Sequence, residues 1–375
     1  MRAVQRPLEA GWLVQGPQVQ EFERRFSEYT GARFAVATTS CTTALHLAMV
    51  ALHLKPGDEV IVPAFTWVST ANVVEYTGAT PVFCDIDLET FNIDARWIEA
   101  LITPRTVGII PVHLFGLCAD MDPILEIAAR KGLWVVEDAA CAFGAWYGSR
   151  HAGTMGELGC FSFHPRKSIT TGEGGMVVTE GEDRDSLLRS LRDHGASRSD
   201  LVRHEGPGGF VMPDFPVLGF NYRMTDLQGA VGCAQMERAE AILSGRAQRA
   251  GNYGESLGGL DWLRLPTVPA GFVHGYQAYV GLFRPEEPTL ERSLVLQGER
   301  DALMGRLERE GIATRPGTHA PVTLGYYVGK YGLRPGDFPG AVIAERLSLA
   351  LPLFPQMSDE EQGRVVEALT KAYGA

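Results

Sequence analysis

Between residues 33 and 140, short apolar runs rich in β-branched residues alternate with helical stretches, and few folds accept that pattern. The strand-like runs are "RFAVATTS", "DEVIVPAF", "TPVFCDID", "TVGIIPVHLFG" and "LWVVEDAA". The helical ones include "CTTALHLAMVALHL", "STANVVEYTG" and "MDPILEIAARKG". Continuously apolar strands separated by helices predict a mostly parallel sheet covered on both faces. Such a sheet binds ligands outside the carboxyl ends of its strands. Three polar clusters directly follow predicted strands: Ser40 to Thr43, Phe65 to Trp67, and Asp138.

Upstream, residues 17–30 read as an amphipathic helix. Pro17 suits its first turn, Val19, Phe22, Phe26 and Tyr29 share a face, and Gly31 can end it. Downstream of residue 180 the pattern changes. A basic helical segment "DSLLRSLRDHG" is followed by an irregular loop "HEGPGGFVMPDFP", then by a helical run over residues 224–253 long enough to bridge two domains. The remainder mixes a strand, "YQAYVGLF", a helix, "ERDALMGRLEREG", and a final helix with a Ser358/Glu361 capping box. A boundary near residue 250 is expected, giving a large α/β domain over 1–250 and a smaller α+β domain over 251–375.

At 375 residues and 45% hydrophobic content the chain can bury a large core. A net charge of −11 with no like-charge block argues against nucleic acid or an anionic membrane as main partner. The start "MRAVQRPLEAGWLVQG" lacks the apolar core of a signal peptide, and no apolar run is long enough to cross a bilayer. Six cysteines without CxxC spacing suggest no metal site and read as buried thiols of a cytoplasmic protein.

Lys167 stands out in "CFSFHPRKSITTGEGGMVVT", set among aromatic and small residues ahead of another predicted strand. An aspartate at a strand end commonly caps a helix, a Ser/Thr cluster commonly does the same, and a tryptophan after a strand is commonly core. Together with a lysine in a dry setting they describe one ligand, pyridoxal phosphate. It needs an amine for a Schiff base, a carboxylate to keep its ring nitrogen protonated, a phosphate cup and a flat partner. Lys167, Asp138, the Ser40–Thr43 turn and Trp67 supply those parts. Burial beside a cationic ring is expected to keep the Lys167 amine neutral.

The sequence also resembles the DegT/DnrJ/StrS family of pyridoxal-phosphate-dependent sugar aminotransferases. The resemblance runs from "GPQVQEFERRFSEYTG" to "LSLALPLFPQMSDEE". Its specific blocks are "SCTTALHLAM", "DEVIVPAFTWVSTANVVEYTGATPVFCDID", "PVHLFGLCADMD", "VVEDAACAFGA", "GCFSFHPRKSITTGEGGMVVT" and "LGFNYRMTDLQGAVG". It implies a fold type I transferase working as a homodimer with shared active sites. By that resemblance Lys167 is the Schiff-base lysine, Asp138 the pyridinium partner and Trp67 the ring-stacking residue. Cys41 and Thr42 match the phosphate-binding turn, Ser162 a further phosphate hydroxyl, and Asn221 an asparagine given by the neighbouring subunit. Cys141 stands where many members carry Gln or His near the ring oxygen, and is a weaker hydrogen-bonding group.

The resemblance further implies amino transfer from L-glutamate, or glutamine, to a nucleotide-linked ketosugar. In "ATRPGTHAP", Arg315 could pair with the diphosphate and His319 with the sugar, or the arginine could only bridge a neighbouring residue. Glu173 could orient the lysine hairpin or approach the substrate. Three other activities stay open: amination of a cyclitol, sugar dehydration, which Lys167 argues against because that branch has a histidine in its place, and non-catalytic sensing.

Overall fold

The computed structural model describes residues 2–198 and 212–372. Nine strands precede residue 180: β1 (Phe34–Thr38), β2 (Glu59–Pro63), β3 (Thr80–Cys84), β4 (Thr106–Ile109), β5 (Trp134–Asp138), β6 (Trp146–Tyr147), β7 (Arg150–His151), β8 (Leu158–Ser162) and β9 (Gly175–Thr179). Seven of them form one sheet in the order β1-β9-β8-β5-β4-β2-β3. β3, β2, β4, β5 and β8 pair in parallel. β9 pairs antiparallel with both β8 and β1, so β1 runs with the majority and β9 alone is reversed. All five residues of β2 are buried, as a strand covered on both faces requires.

The helices covering this sheet include α1 (Arg2–Ala10), α2 (Pro17–Thr30), α3 (Cys41–Ala51), α4 (Ser69–Tyr76), α5 (Ala95–Leu101), α6 (Met121–Lys131) and α7 (Glu182–Arg192). α2 has the expected limits, with Pro17 in its first turn and Gly31 left-handed at φ 79°. Its Phe22 and Phe26 lie 4.9 Å from the rings of Phe163 and Phe161 respectively. Side chains alternate along a strand. The phenylalanines of "CFSF" thus anchor one face to α2 and leave Cys160 and Ser162 on the other. β4 is shorter than its sequence predicts. Pro111 cannot donate to a ladder, and the chain then turns through Phe115 at φ 59° and Gly116 at φ 105°.

Among the described residues the remaining α-helices are α8 (Asp226–Met236), α9 (Ala239–Leu257), α10 (Leu290–Arg309), α11 (Gly325–Tyr331), α12 (Pro339–Leu347) and α13 (Asp359–Ala372). The single run expected over 224–253 is therefore two helices, broken at Glu237 and Arg238. α8 is committed to α2, and a Cβ at Gly232 would meet the Phe22 ring at 2.7 Å. α9 starts in the same cluster through Ile242 but buries Tyr253 and Leu257 in the other part of the core. Residue 250 falls inside α9. α10 begins nine residues before the predicted helix, where the Thr289 side chain caps Arg292 N–H. Ser358 and Glu361 exchange the expected reciprocal cap bonds at 2.7 and 3.1 Å.

A second, antiparallel sheet joins β10 (Leu263–Arg264), β12 (Tyr279–Phe283) and β13 (Ser348–Leu351). A small third sheet has the order β11 (Phe272–Val273), β6, β7. Of the predicted loop "HEGPGGFVMPDFP", residues 204–211 lie outside the described residues. No described helix is long and apolar enough to cross a membrane.

Candidate active site

The strand ends gather the predicted residues at one edge of the large sheet. β1 leads into α3 through Ser40, whose hydroxyl accepts from Thr43 N–H at 3.2 Å while Thr43 Oγ1 accepts from Ser40 N–H at 3.0 Å. The next two donors, Cys41 and Thr42 N–H, make no hydrogen bond among the described residues, as expected for a helix start. Gly175 of β9 backs this turn. A Cβ there would sit 2.3 Å from the Ser40 carbonyl oxygen, so only glycine lets the turn lie against the sheet. Thr42 Oγ1 is 3.0 Å from Ser69 Oγ, which ties the turn to the start of α4.

Asp138 ends β5 next to Cys160 of β8 and is buried. Its Oδ2 accepts from the Thr70 hydroxyl at 2.8 Å and its Oδ1 from Ala140 N–H at 3.2 Å. Burial pushes its pKa above the ordinary carboxylate value, against the opposing pull of Thr70, Ala140 N–H, Lys167 and His113. Lys167 follows β8 in a closed loop. Phe163 N–H donates to the Gly174 carbonyl at 2.9 Å, and Lys167 N–H to the His164 carbonyl at 2.8 Å. That loop turns the amine back over the sheet edge, where Nζ donates to Cys141 Sγ at 3.0 Å. Burial favours the neutral amine. Here that pull is outweighed by Cys141, Cys41 and Asp138, and the Lys167 pKa stands above its ordinary value. That preference belongs to the chain without the cationic ring beside which a neutral lysine is expected.

Trp67, in the turn before α4, is exposed, with the His319 ring 5.8 Å away and Thr66 N–H donating to the His319 carbonyl at 3.1 Å. Arg315 pairs by backbone with Ala350 of β13. Its pKa is lowered by burial and by nearby Arg166, partly offset by Cys141. Ser162 Oγ accepts from His164 N–H at 3.4 Å. Glu173 and Asn221 share no hydrogen bond or ion pair with Lys167 among the described residues. Glu173 is exposed, its Oε1 3.8 Å from His164 Nε2. Asn221 is exposed on an extended segment bridged to Asp193. Sequence reading missed Thr70, Ser69 and Arg166. A signal existed for the first two, since "TWVST" places hydroxyls after a strand as "TTSCTT" does.

The donor set fits pyridoxal phosphate. A buried carboxylate has hydroxyl and amide partners but no direct ion pair, open N–H groups lie at a helix start, and an amine lies close by. Among the described residues no group of His, Cys, Asp and Glu could hold a metal. All six cysteines are free, and only Cys141 is not buried.

Residues 1–370 match the DegT/DnrJ/EryC1/StrS aminotransferase family. The GDP-perosamine synthase of Caulobacter vibrioides is 40% identical over 364 residues, 96% of this chain and 92% of that protein. The spore coat polysaccharide biosynthesis protein SpsC of Bacillus subtilis is 38% identical over 98% of this chain and 93% of its own length. The PLP form of Spr1654 from Streptococcus pneumoniae superposes with a TM-score of 0.89 at 28% identity, covering 99% of this chain and 95% of that one. The fold and the site define a fold type I pyridoxal-phosphate transferase. The chain belongs to the DegT/DnrJ/EryC1/StrS family and is a sugar aminotransferase that uses pyridoxal phosphate.

Proposed function

We propose that Lys167 is the covalent attachment point of the cofactor, and that the enzyme moves an amino group from L-glutamate or glutamine to a nucleotide-linked ketosugar. The observation that carries this reading is the Lys167 amine held 3.0 Å from Cys141, three residues past the buried Asp138. Bound pyridoxal phosphate supplies an aldehyde that captures amino groups and a cationic ring that withdraws electrons. In this reading the chain's residues hold and direct it. Asp138 holds the proton on the ring nitrogen, Cys41 and Thr42 N–H with the α3 dipole and Ser162 hold the phosphate, and Trp67 offers a flat face. Cys141, beside the amine, would border the cofactor. Lys167 Nζ would take the proton from the substrate carbon that bears nitrogen, or return one to it.

Support for an anionic sugar substrate comes from Arg166 and Arg315. The two guanidiniums oppose each other electrostatically and have no side-chain partner among the described residues. A diphosphate satisfies both. His319, beside Trp67, would meet the sugar, and Glu173 would border the lysine loop. The same reading takes 1–250 and 251–375 as the two domains. It makes the enzyme a homodimer, in which Asn221 completes the phosphate cup of a second copy.

Borohydride reduction should fix the cofactor to the peptide that contains Lys167. A label on another lysine would overturn the assignment. Amino-loaded enzyme should then be offered nucleotide-linked 3-keto and 4-keto sugars beside a free cyclitol ketone. Recovery of the starting spectrum with the cyclitol alone would replace the nucleotide-sugar reading.

A further inference from the structure

The contact between Lys167 Nζ and Cys141 Sγ has chemistry of its own. Cys141 is the only one of the six cysteines that is not buried. Its sulfur faces two cations: Lys167 at 3.0 Å, and Arg315, whose pKa it helps to sustain. Solvent-accessible cysteines in electropositive surroundings are the ones that peroxides oxidise. The first oxidation product, a sulfenic acid, condenses with a nearby nucleophile when one is within reach. The nearest here is an amine at contact distance, while the other thiols are buried.

We propose that Cys141 and Lys167 form a peroxide-driven, reversible covalent modification site, closed by a sulfur–nitrogen bond between Sγ and Nζ. In the first step Sγ attacks one oxygen of hydrogen peroxide. The O–O bond breaks, sulfur loses two electrons, and the peroxide is reduced to water with Cys141 left as the sulfenic acid. In the second step Nζ first gives its ammonium proton to solvent, and the lone pair so freed attacks sulfur. The S–O bond breaks, and hydroxide departs with a proton from the amine as a second water. The linked pair is lighter by two hydrogens than its separate side chains. A thiol reverses the link by attacking sulfur, returning the amine with a proton. A second thiol then frees Cys141 as a disulfide forms between the two reductants.

The consequence for the cofactor rests on Lys167 being its attachment point, whereas the bond itself does not. While linked, the amine is unavailable, so the modified chain should not retain pyridoxal phosphate covalently.

The test treats full-length protein, with cofactor and after its removal, with stoichiometric hydrogen peroxide, followed by digestion and mass spectrometry. Cofactor-free protein should yield joined peptides containing Cys141 and Lys167, lighter by two hydrogens than their sum and separated by dithiothreitol. The joined species should vanish in Cys141→Ser and in Lys167→Arg, each checked for native circular dichroism. Cofactor retention should fall in proportion to the linked fraction and return with dithiothreitol. Cofactor-free protein in which Cys141 gains oxygen but joins nothing would overturn the inference. Equal linking in loaded and cofactor-free protein would keep this inference and instead overturn Lys167 as the attachment point.

Discussion

Glu137 and Asp138 are consecutive, both acidic and both buried, yet their surroundings have little in common. Glu137 is enclosed by donors. Gly153 N–H reaches Oε2 at 2.7 Å, and Met155 and Gly156 N–H reach Oε1 at 2.6 Å. His113 completes the set. Its Nδ1 accepts from Ala119 N–H at 3.0 Å, so the ring proton sits on Nε2 and is donated to Glu137 Oε2 at 2.7 Å. Asp138 points to the opposite face of β5 and, among the described residues, has only a hydroxyl and one amide as direct donors. A strand's period of two separates a carboxylate whose hydrogen-bonding needs are met by the fold from one that keeps capacity for something else. Buried acidic residues are thus better told apart by their unfilled hydrogen-bonding capacity than by burial.

Removing the amine that faces Asp138 should have the largest effect. Lys167→Ala should lower turnover by at least about 10⁴-fold, because general acid–base and covalent roles are lost together. Steady-state transamination within tenfold of wild type would take Lys167 out of the chemistry. Asp138→Asn should come next, at about 10²- to 10³-fold, the scale of losing one preorganised electrostatic group. It should also change a pH profile. The raised Asp138 pKa means that the cofactor-free fold takes up a proton more readily than the unfolded chain. The stability this group contributes is full below the ordinary carboxylate pKa and is lost as pH rises through the raised value. A cationic ring reverses that preference. Cofactor affinity should therefore weaken as pH falls through the raised pKa, and Asp138→Asn should abolish that dependence. Titration of cofactor binding from pH 4 to 8 measures it, and an unchanged slope in the variant would assign the proton elsewhere.

On the other face of β5 the expected loss is structural. Glu137→Gln retains the shape but turns one acceptor into a donor facing backbone N–H groups. It should cost about 3 kcal/mol of stability in a denaturant titration. The activity of the protein that remains folded should keep its wild-type pH profile. A shifted profile would show that the two carboxylates are less separate than their geometry suggests.

Much of this arrangement was legible in the sequence, for local reasons. The alternation over 33–140 marks the sheet, and Ser40 and Asp138 mark its carboxyl edge because each lies at or just beyond the end of a strand, whereas Ser162 is named only through the family resemblance. What could not be read depends on groups far apart in the chain. Thr70 reaches Asp138 across 68 positions and His113 reaches Glu137 across 24, and neither pairing has a periodic signature. The break at Glu237 follows from α8 packing on α2, since nothing in the local helix propensity requires it. β10 has only two residues, and its strand character comes from pairing with β12. The contact between Lys167 and Cys141 is equally illegible, because Cys141 approaches the amine only once β5 and β8 are adjacent.

The smallest effect concerns the hydroxyl that holds Asp138. Thr70→Val keeps the volume and the β-branch on α4 and removes only the donor to Oδ2. A hydrogen bond to a charged acceptor contributes about 1.5–3 kcal/mol, but the exchange frees the carboxylate to take another donor. The net cost to cofactor binding should therefore be smaller, about 1 kcal/mol or roughly fivefold in Kd. The direction for the carboxylate is upward, since a group that lowers its pKa has been removed while burial persists. The acid limb of cofactor binding should then move to higher pH in Thr70→Val, whereas Glu137→Gln should leave it in place. A Thr70→Val variant with weaker binding at every pH and an unmoved acid limb would mean that the hydroxyl only positions α4 and does not tune the charge on Asp138.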